Sequence, residues 1–137
     1  MAEKVNLSFI LFVMTGCIIF ESVNSATHIV GGKVGWNLPS YYSFFEDWSK
    51  NQTFIVGDQL LFQYNPGLST VLEVNKNDFG NCTNRNTIHT YFRGNSTVPL
   101  NKPGDYYFFC SVGKRCEAGQ KLWVNVRPGK TSRKTLM

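Results

Sequence analysis

Tyr106-Tyr107-Phe108-Phe109-Cys110-Ser111-Val112-Gly113-Lys114-Arg115-Cys116-Glu117-Ala118-Gly119-Gln120 runs directly into Lys121-Leu122-Trp123-Val124-Asn125-Val126. In the second piece Leu122, Val124 and Val126 share one side of an extended chain and Trp123 and Asn125 the other, the period-two pattern of a half-buried strand. Asp105 to Cys110 is dense in aromatic side chains and predicts a second strand. The whole stretch is therefore strand, loop, strand. Within it Cys110, Arg115 and Gln120 recur at a spacing of five, so a tight loop between paired strands can turn all three side chains toward one point.

Outward from this hairpin the same signals repeat. Gln59 to Tyr64, Val71 to Val74 and Ile88 to Phe92 are rich in β-branched and aromatic residues and predict further strands. Turn signals separate them at Gly31-Gly32, Asn37-Leu38-Pro39, Gly57-Asp58, Asn65-Pro66-Gly67, Arg93-Gly94-Asn95, Asn101 to Gly104 and Arg127-Pro128-Gly129. Many short strands at this spacing predict an all-β sandwich or barrel. Only Tyr42 to Lys50, carrying Phe44, Phe45 and Trp48, predicts a turn or two of helix. With 137 residues, 42% hydrophobic and 17% charged, the chain has room for one globular domain and is too apolar to be disordered.

Residues 1–25 predict a secretory signal peptide: Lys4 is positive, Leu7 to Phe20 is almost wholly apolar, and Val23-Asn24-Ser25 places small residues at the cleavage positions. The apolar run of about 14 residues is short of the roughly 20 that span a bilayer, and no later segment reaches that length. Removal of residues 1–25 leaves 13 basic and 7 acidic residues, a net charge of +6. Those charges are scattered, apart from Lys130, Arg133 and Lys134 in a basic tail at 128–137, so no nucleic-acid surface is predicted. Asn51-Gln52-Thr53, Asn81-Cys82-Thr83 and Asn95-Ser96-Thr97 are N-glycosylation acceptors, which agrees with secretion. Cys17 lies in the signal, so Cys82, Cys110 and Cys116 remain: in an oxidising compartment two should pair, and the count permits three pairings and selects none.

Catalytic chemistry has no candidate machinery. Ile29-Val30-Gly31-Gly32 is similar to the new N-terminus of an activated trypsin-like protease, but the chain is too short and has no nucleophilic serine backed by histidine and aspartate. His28 and His89 are the only histidines, stand in different strand-like segments without metal-ligand spacing, and read as surface or hydrogen-bonded structural residues. Paired carboxylates, phosphate-cradling glycine loops and a Cys/His pair are absent, so no enzyme is predicted.

Val30-Gly31-Gly32 to Gly35-Trp36, Phe54 to Asp58 with Leu61 to Tyr64, Val71 to Asn75, Asp78 to Cys82, and Pro103 to Cys110 form one joint pattern, completed by Cys116, Gly119 and Gln120. Through these residues 27–126 resemble a phytocyanin, a plant family of the cupredoxin superfamily that holds type-I blue copper. The resemblance implies a cupredoxin-like Greek-key β-sandwich of two sheets, with one or two short helical turns, over residues 26–127. It also places the family's copper ligands at Ser69, Cys110, Arg115 and Gln120, where the family has histidine, cysteine, histidine and a weak axial ligand. Glutamine in the axial place is the stellacyanin-like choice. Two of the four positions match. The resemblance further implies a Cys82–Cys116 disulfide, leaving Cys110 free; it would close a loop of about 35 residues, worth roughly 3 to 4 kcal/mol in the chain-entropy account, and is expected to tie the two sheets together.

A blue-copper centre needs a thiolate, two imidazoles and one weak axial donor in trigonal array. Loss of a ligand commonly costs orders of magnitude in affinity, and a guanidinium about 4 Å from a unit charge costs roughly 4 kcal/mol at an effective dielectric of 20, about double against Cu²⁺. No cofactor is therefore expected at Ser69, Cys110, Arg115 and Gln120. Arg115 is expected either to stand in for the metal as the cation beside the Cys110 thiol or to point to solvent, with Cys110 buried and inert. The reading is a secreted, non-enzymatic protein similar to early nodulin-like, copper-free phytocyanins, monomeric, meeting an extracellular protein or carbohydrate through its surface, with Lys114 and Arg115 near the degenerate site. The alternative is a copper protein that passes single electrons with a substitute ligand such as His89; a decayed gene copy is a third. The tail has no hydrophobic segment for a lipid anchor, so the apoplast is the expected location.

Overall fold

Every second residue of the final strand is buried, and that alternation sets the plane of the larger sheet. The computed structural model describes residues 25–129, of which Ser25–Pro128 form one compact unit. The signal at 1–25 apart from Ser25, Cys17 within it, and tail residues 130–137 lie outside the described residues. Eight strands follow in order: β1 (Thr27–Ile29), β2 (Phe54–Ile55), β3 (Gln59–Phe62), β4 (Val71–Val74), β5 (His89–Tyr91), β6 (Ser96–Pro99), β7 (Gly104–Phe109) and β8 (Lys121–Arg127). Helix α1 (Phe44–Lys50) precedes β2 and α2 (Lys76–Asn81) follows β4.

The strands make two sheets, one of order β1-β3-β6 and one of order β2-β8-β7-β4-β5. Pairing is mixed: β1 runs parallel to β3 and β2 parallel to β8, while β7 and β8 form the long antiparallel hairpin from Gly104↔Val126 to Phe109↔Lys121. This is the cupredoxin-like two-sheet sandwich that the resemblance implies.

Leu60, Phe62, Val98 and Leu100 from one side meet Val71, Phe108, Leu122, Val124 and Val126 from the other, with Trp36 and Phe45 closing the end of the core. Trp36 is wholly buried, and its indole N–H is satisfied by the Thr70 carbonyl at 2.8 Å, as a buried Trp requires. Val71-Leu72 and Val74 are all buried because β4 is covered on both faces. Leu72 and Val74 face outward into a second cluster with Phe109 and Cys116, against which Phe79 of α2, Cys82 and Tyr107 pack.

Helix α2 corrects the expectation that only Tyr42 to Lys50 is helical. Its start is fixed by Asn75, whose side-chain oxygen accepts from the Asp78 N–H at 2.9 Å, an N-cap. Strand β1 covers the strand-like segment of His28, whereas β2 and β6 are not among the predicted strands: β2 has two residues, and Ser96-Thr97-Val98-Pro99 has a single buried apolar residue.

Candidate metal centre

Cys110 and Gln120 are the last rung of the β7–β8 hairpin: the Cys110 N–H donates to the Gln120 carbonyl at 3.0 Å. The loop between them is wound tightly, with the Gln120 N–H donating to the Arg115 carbonyl at 2.8 Å and the Gly119 N–H to the Cys116 carbonyl at 3.0 Å. Gly119 is required there. Its φ is +108°, and a Cβ would collide with the Tyr42 backbone, so only glycine lets the 36–44 connection close over the loop.

The spacing of five brings the Arg115 and Gln120 side chains together, while Cys110 meets Gln120 through the backbone. Gln120 is fully buried, and its Nε2 donates to the Ser69 hydroxyl at 3.0 Å. Arg115 Nη1 donates to Gln120 Oε1 over a long 3.5 Å. The orientation follows from chemistry: a guanidinium has no acceptor, so the amide oxygen must face it and the amide nitrogen is left for Ser69. Ser69 reaches this point from the loop before β4, where Pro66 and Ser69 form an isolated bridge.

Cys110 is a free thiol with no solvent exposure. Its sulfur lies 3.5 Å from the Thr70 N–H and 3.9 Å from the Thr70 hydroxyl. Arg115, expected beside this thiol or in solvent, is half-buried and directs Nη1 at the Gln120 amide oxygen. Thr70 was not foreseen as part of the site. It binds Ser111 twice, through its hydroxyl at 2.8 Å and by accepting the Ser111 N–H at 2.9 Å, so it staples the β4 approach to the start of the loop. The one signal available was its place between Ser69 and the Val71 strand.

These donors do not fit type-I copper. At the two positions that the resemblance gives to histidine stand a hydroxyl and a guanidinium, the second a cation without a lone pair to offer, and the amide oxygen already accepts from it. Among the described residues no group of three or more His, Cys, Asp or Glu side chains could hold a metal ion. His89, named as a substitute ligand, is exposed on edge strand β5 opposite Glu73.

Cys82 and Cys116 form the disulfide that the resemblance implies, with Cα atoms 5.9 Å apart. It does not tie the two sheets together. Cys82 follows α2 and Cys116 lies in the β7–β8 loop, so the bridge joins two connections of the five-stranded sheet on its outer face. Cys82 itself has φ +53°, a left-handed conformation costly for a side-chain-bearing residue. Asp78, inaccessible to solvent, holds that turn by accepting from the Thr83 hydroxyl and the Asn86 N–H, both at 2.6 Å. Those hydrogen bonds, that of Thr83 foremost, keep the Asp78 carboxyl below the ordinary carboxylate range despite burial.

The three asparagines expected as glycosylation acceptors are exposed: Asn51 just after α1, Asn81 at the end of α2, and Asn95 before β6. Asn95 Oδ1 accepts the Tyr64 N–H at 3.1 Å.

A sequence profile described as a plastocyanin-like domain matches residues 36–120. Blue copper protein of Pisum sativum is 37% identical over 117 residues, covering 81% of this chain and 60% of that protein. Early nodulin-like protein 15 of Arabidopsis thaliana is 35% identical, covering 82% of this chain and 64% of that protein, so the chain spans less than two thirds of either relative. Stellacyanin of Toxicodendron vernicifluum is 33% identical over 101 residues, covering 72% of this chain and 94% of that protein. Among solved structures, Cu²⁺ cucumber stellacyanin superposes with a TM-score of 0.73 at 34% identity, covering 79% of this chain and 100% of that chain. Fold and sequence thus agree, and the chain belongs to the plastocyanin-like domain family, in the phytocyanin group with the stellacyanins and early nodulin-like proteins.

Proposed function

We propose that this chain is a secreted, non-enzymatic phytocyanin that works without copper, meeting an extracellular protein or carbohydrate through its surface and its glycans. One observation carries the reading. The Ser69 hydroxyl, the Gln120 amide and the Arg115 guanidinium form a hydrogen-bonded chain across the positions where the resemblance places copper ligands. Such a chain holds its members in place by their own partners, and its cationic end repels a second cation. Secretion is supported by the leader-like residues 1–25, the exposed acceptors Asn51, Asn81 and Asn95, and the Cys82–Cys116 disulfide.

Titration of the purified protein with Cu²⁺, followed by visible absorbance, is expected to leave it colourless. An intense thiolate-to-copper band at one copper per chain overturns the reading. Ser69→His with Arg115→His should create that colour, because Cys110 and Gln120 already occupy their places in the hairpin. The second reading, copper-borne transfer of single electrons, is favoured by that same retained pair, held 3.0 Å apart through their backbones. It predicts colour in the unmodified protein.

A further inference from the structure

Ala26 sits where a positive charge has a partner waiting. Its backbone nitrogen donates to Asp58 Oδ1 at 2.9 Å, and its carbonyl accepts from the Gln59 N–H at 2.9 Å. The residue is thus pinned on both sides by the β2–β3 turn, whatever precedes it. Asp58 is 5% exposed and is the focus of three donors: the Ala26 nitrogen on one oxygen, and on the other His28 Nε2 at 2.9 Å and the Ile55 N–H at 3.1 Å. Burial by itself would raise the Asp58 carboxyl pKa, but these donors, His28 first among them, outweigh it and hold it below the ordinary carboxylate range. His28 is held in turn, with Nδ1 3.3 Å from Gln52 Oε1.

The bond just before this nitrogen is the one that the leader pattern marks. Val23 and Ser25 are the small residues at the cleavage positions, Ser25 and Ala26 are exposed, and the compact unit starts at Ser25. We infer that hydrolysis of the Ser25–Ala26 peptide bond by signal peptidase creates an α-ammonium that pairs with Asp58, so that maturation itself locks β1 onto the domain. Water adds across the amide: Ser25 leaves with the leader as a carboxylate, and Ala26 keeps the amine, which takes up a proton. A neutral N–H···O⁻ bond becomes an ion pair without moving any atom of the scaffold, and charge-assisted bonds are roughly twice as strong as neutral ones. Asp58 then holds the cationic terminus on one oxygen and the His28 ring on the other. The uncut precursor has only the neutral bond, so cutting stabilises the product over its precursor. The inference is independent of whether copper binds.

The test uses the secreted protein. Intact mass and N-terminal sequencing should place its first residue at Ala26. Selective acetylation of the α-amine, which keeps the N–H and removes the charge, should then raise the unfolding equilibrium constant in denaturant by about three- to tenfold, and should change nothing in Asp58→Asn. If Asp58→Asn does not fold, NMR titration of the α-amine in the unmodified protein decides: it should titrate above the ordinary range of about 7.7 to 8.0. A mature chain starting elsewhere overturns the inference, as does equal stability before and after acetylation, or an amine with an ordinary pKa. None of these readouts involves Cu²⁺, so they stand or fall apart from the copper titration.

Discussion

Gln120 is a buried amide whose two ends are both engaged, one by Ser69 and one by Arg115. Ser69→Ala removes the acceptor of Nε2 and leaves a buried donor unsatisfied, which costs about 1 to 3 kcal/mol. Replacing both partners, as Ser69→Ala with Gln120→Leu, should recover part of that loss, because neither polar group then remains. Urea unfolding of the two variants checks this; a double variant no more stable than the single one counts against the coupling. The approach of Arg115 to Gln120 is legible in the spacing of five, and that of Ser69 only through the resemblance. The direction of each hydrogen bond is not, because spacing places side chains near one another without saying which way an amide turns. Thr70 stayed hidden for a related reason: its part rests on contacts 40 and 41 residues away along the chain.

Among the elements, the long hairpin was readable because seven residues of β8 alternate without a break. Helix α2 was not, since six residues with Gly80 inside give too little periodicity, although Asn75 followed by Asp78 is a capping signal in plain view. That helix leads into Cys82, which explains why the disulfide braces one sheet and not two. Cys82→Ser should lower stability by roughly 3 to 4 kcal/mol in the chain-entropy account, for a sequence separation of 34. Since Cys116 follows Arg115 directly, the loss should be felt in the 110–120 loop: amide exchange there should speed up more than in the three-stranded sheet. Thermal melting with hydrogen exchange measures both, and uniform acceleration would argue that the bridge braces the whole sandwich.

At the scale of the whole molecule, two carboxylates anchor its connections, Asp58 at the β2–β3 turn and Asp78 at the turn after α2. Both have pKa values lowered from 3.8. A depressed native pKa means that the unfolded chain binds protons first as pH falls, so the stabilisation is complete above about pH 5 and is lost as pH drops below about 4. Denaturant midpoints measured from pH 6 to pH 2.5 should fall across that window, and Asp58→Asn should lessen the fall. The sandwich class was legible from the turn spacing. The parallel edges β1–β3 and β2–β8 were not, because two- and three-residue strands paired across the chain leave no local pattern.

The placement of tryptophans gives the molecule its own optics. Trp36 is sealed in the core beside the Thr70 carbonyl, while Trp123 stands half open on the outer face of β8 with its ring stacked on Tyr107. Iodide in solution should therefore quench the emission of Trp123 and leave that of Trp36 untouched. With Trp123 and the half-buried Trp48 both changed to Phe, only Trp36 is left to emit, and its fluorescence should be largely quencher-proof, an interior lamp that dims or shifts only when the sandwich opens.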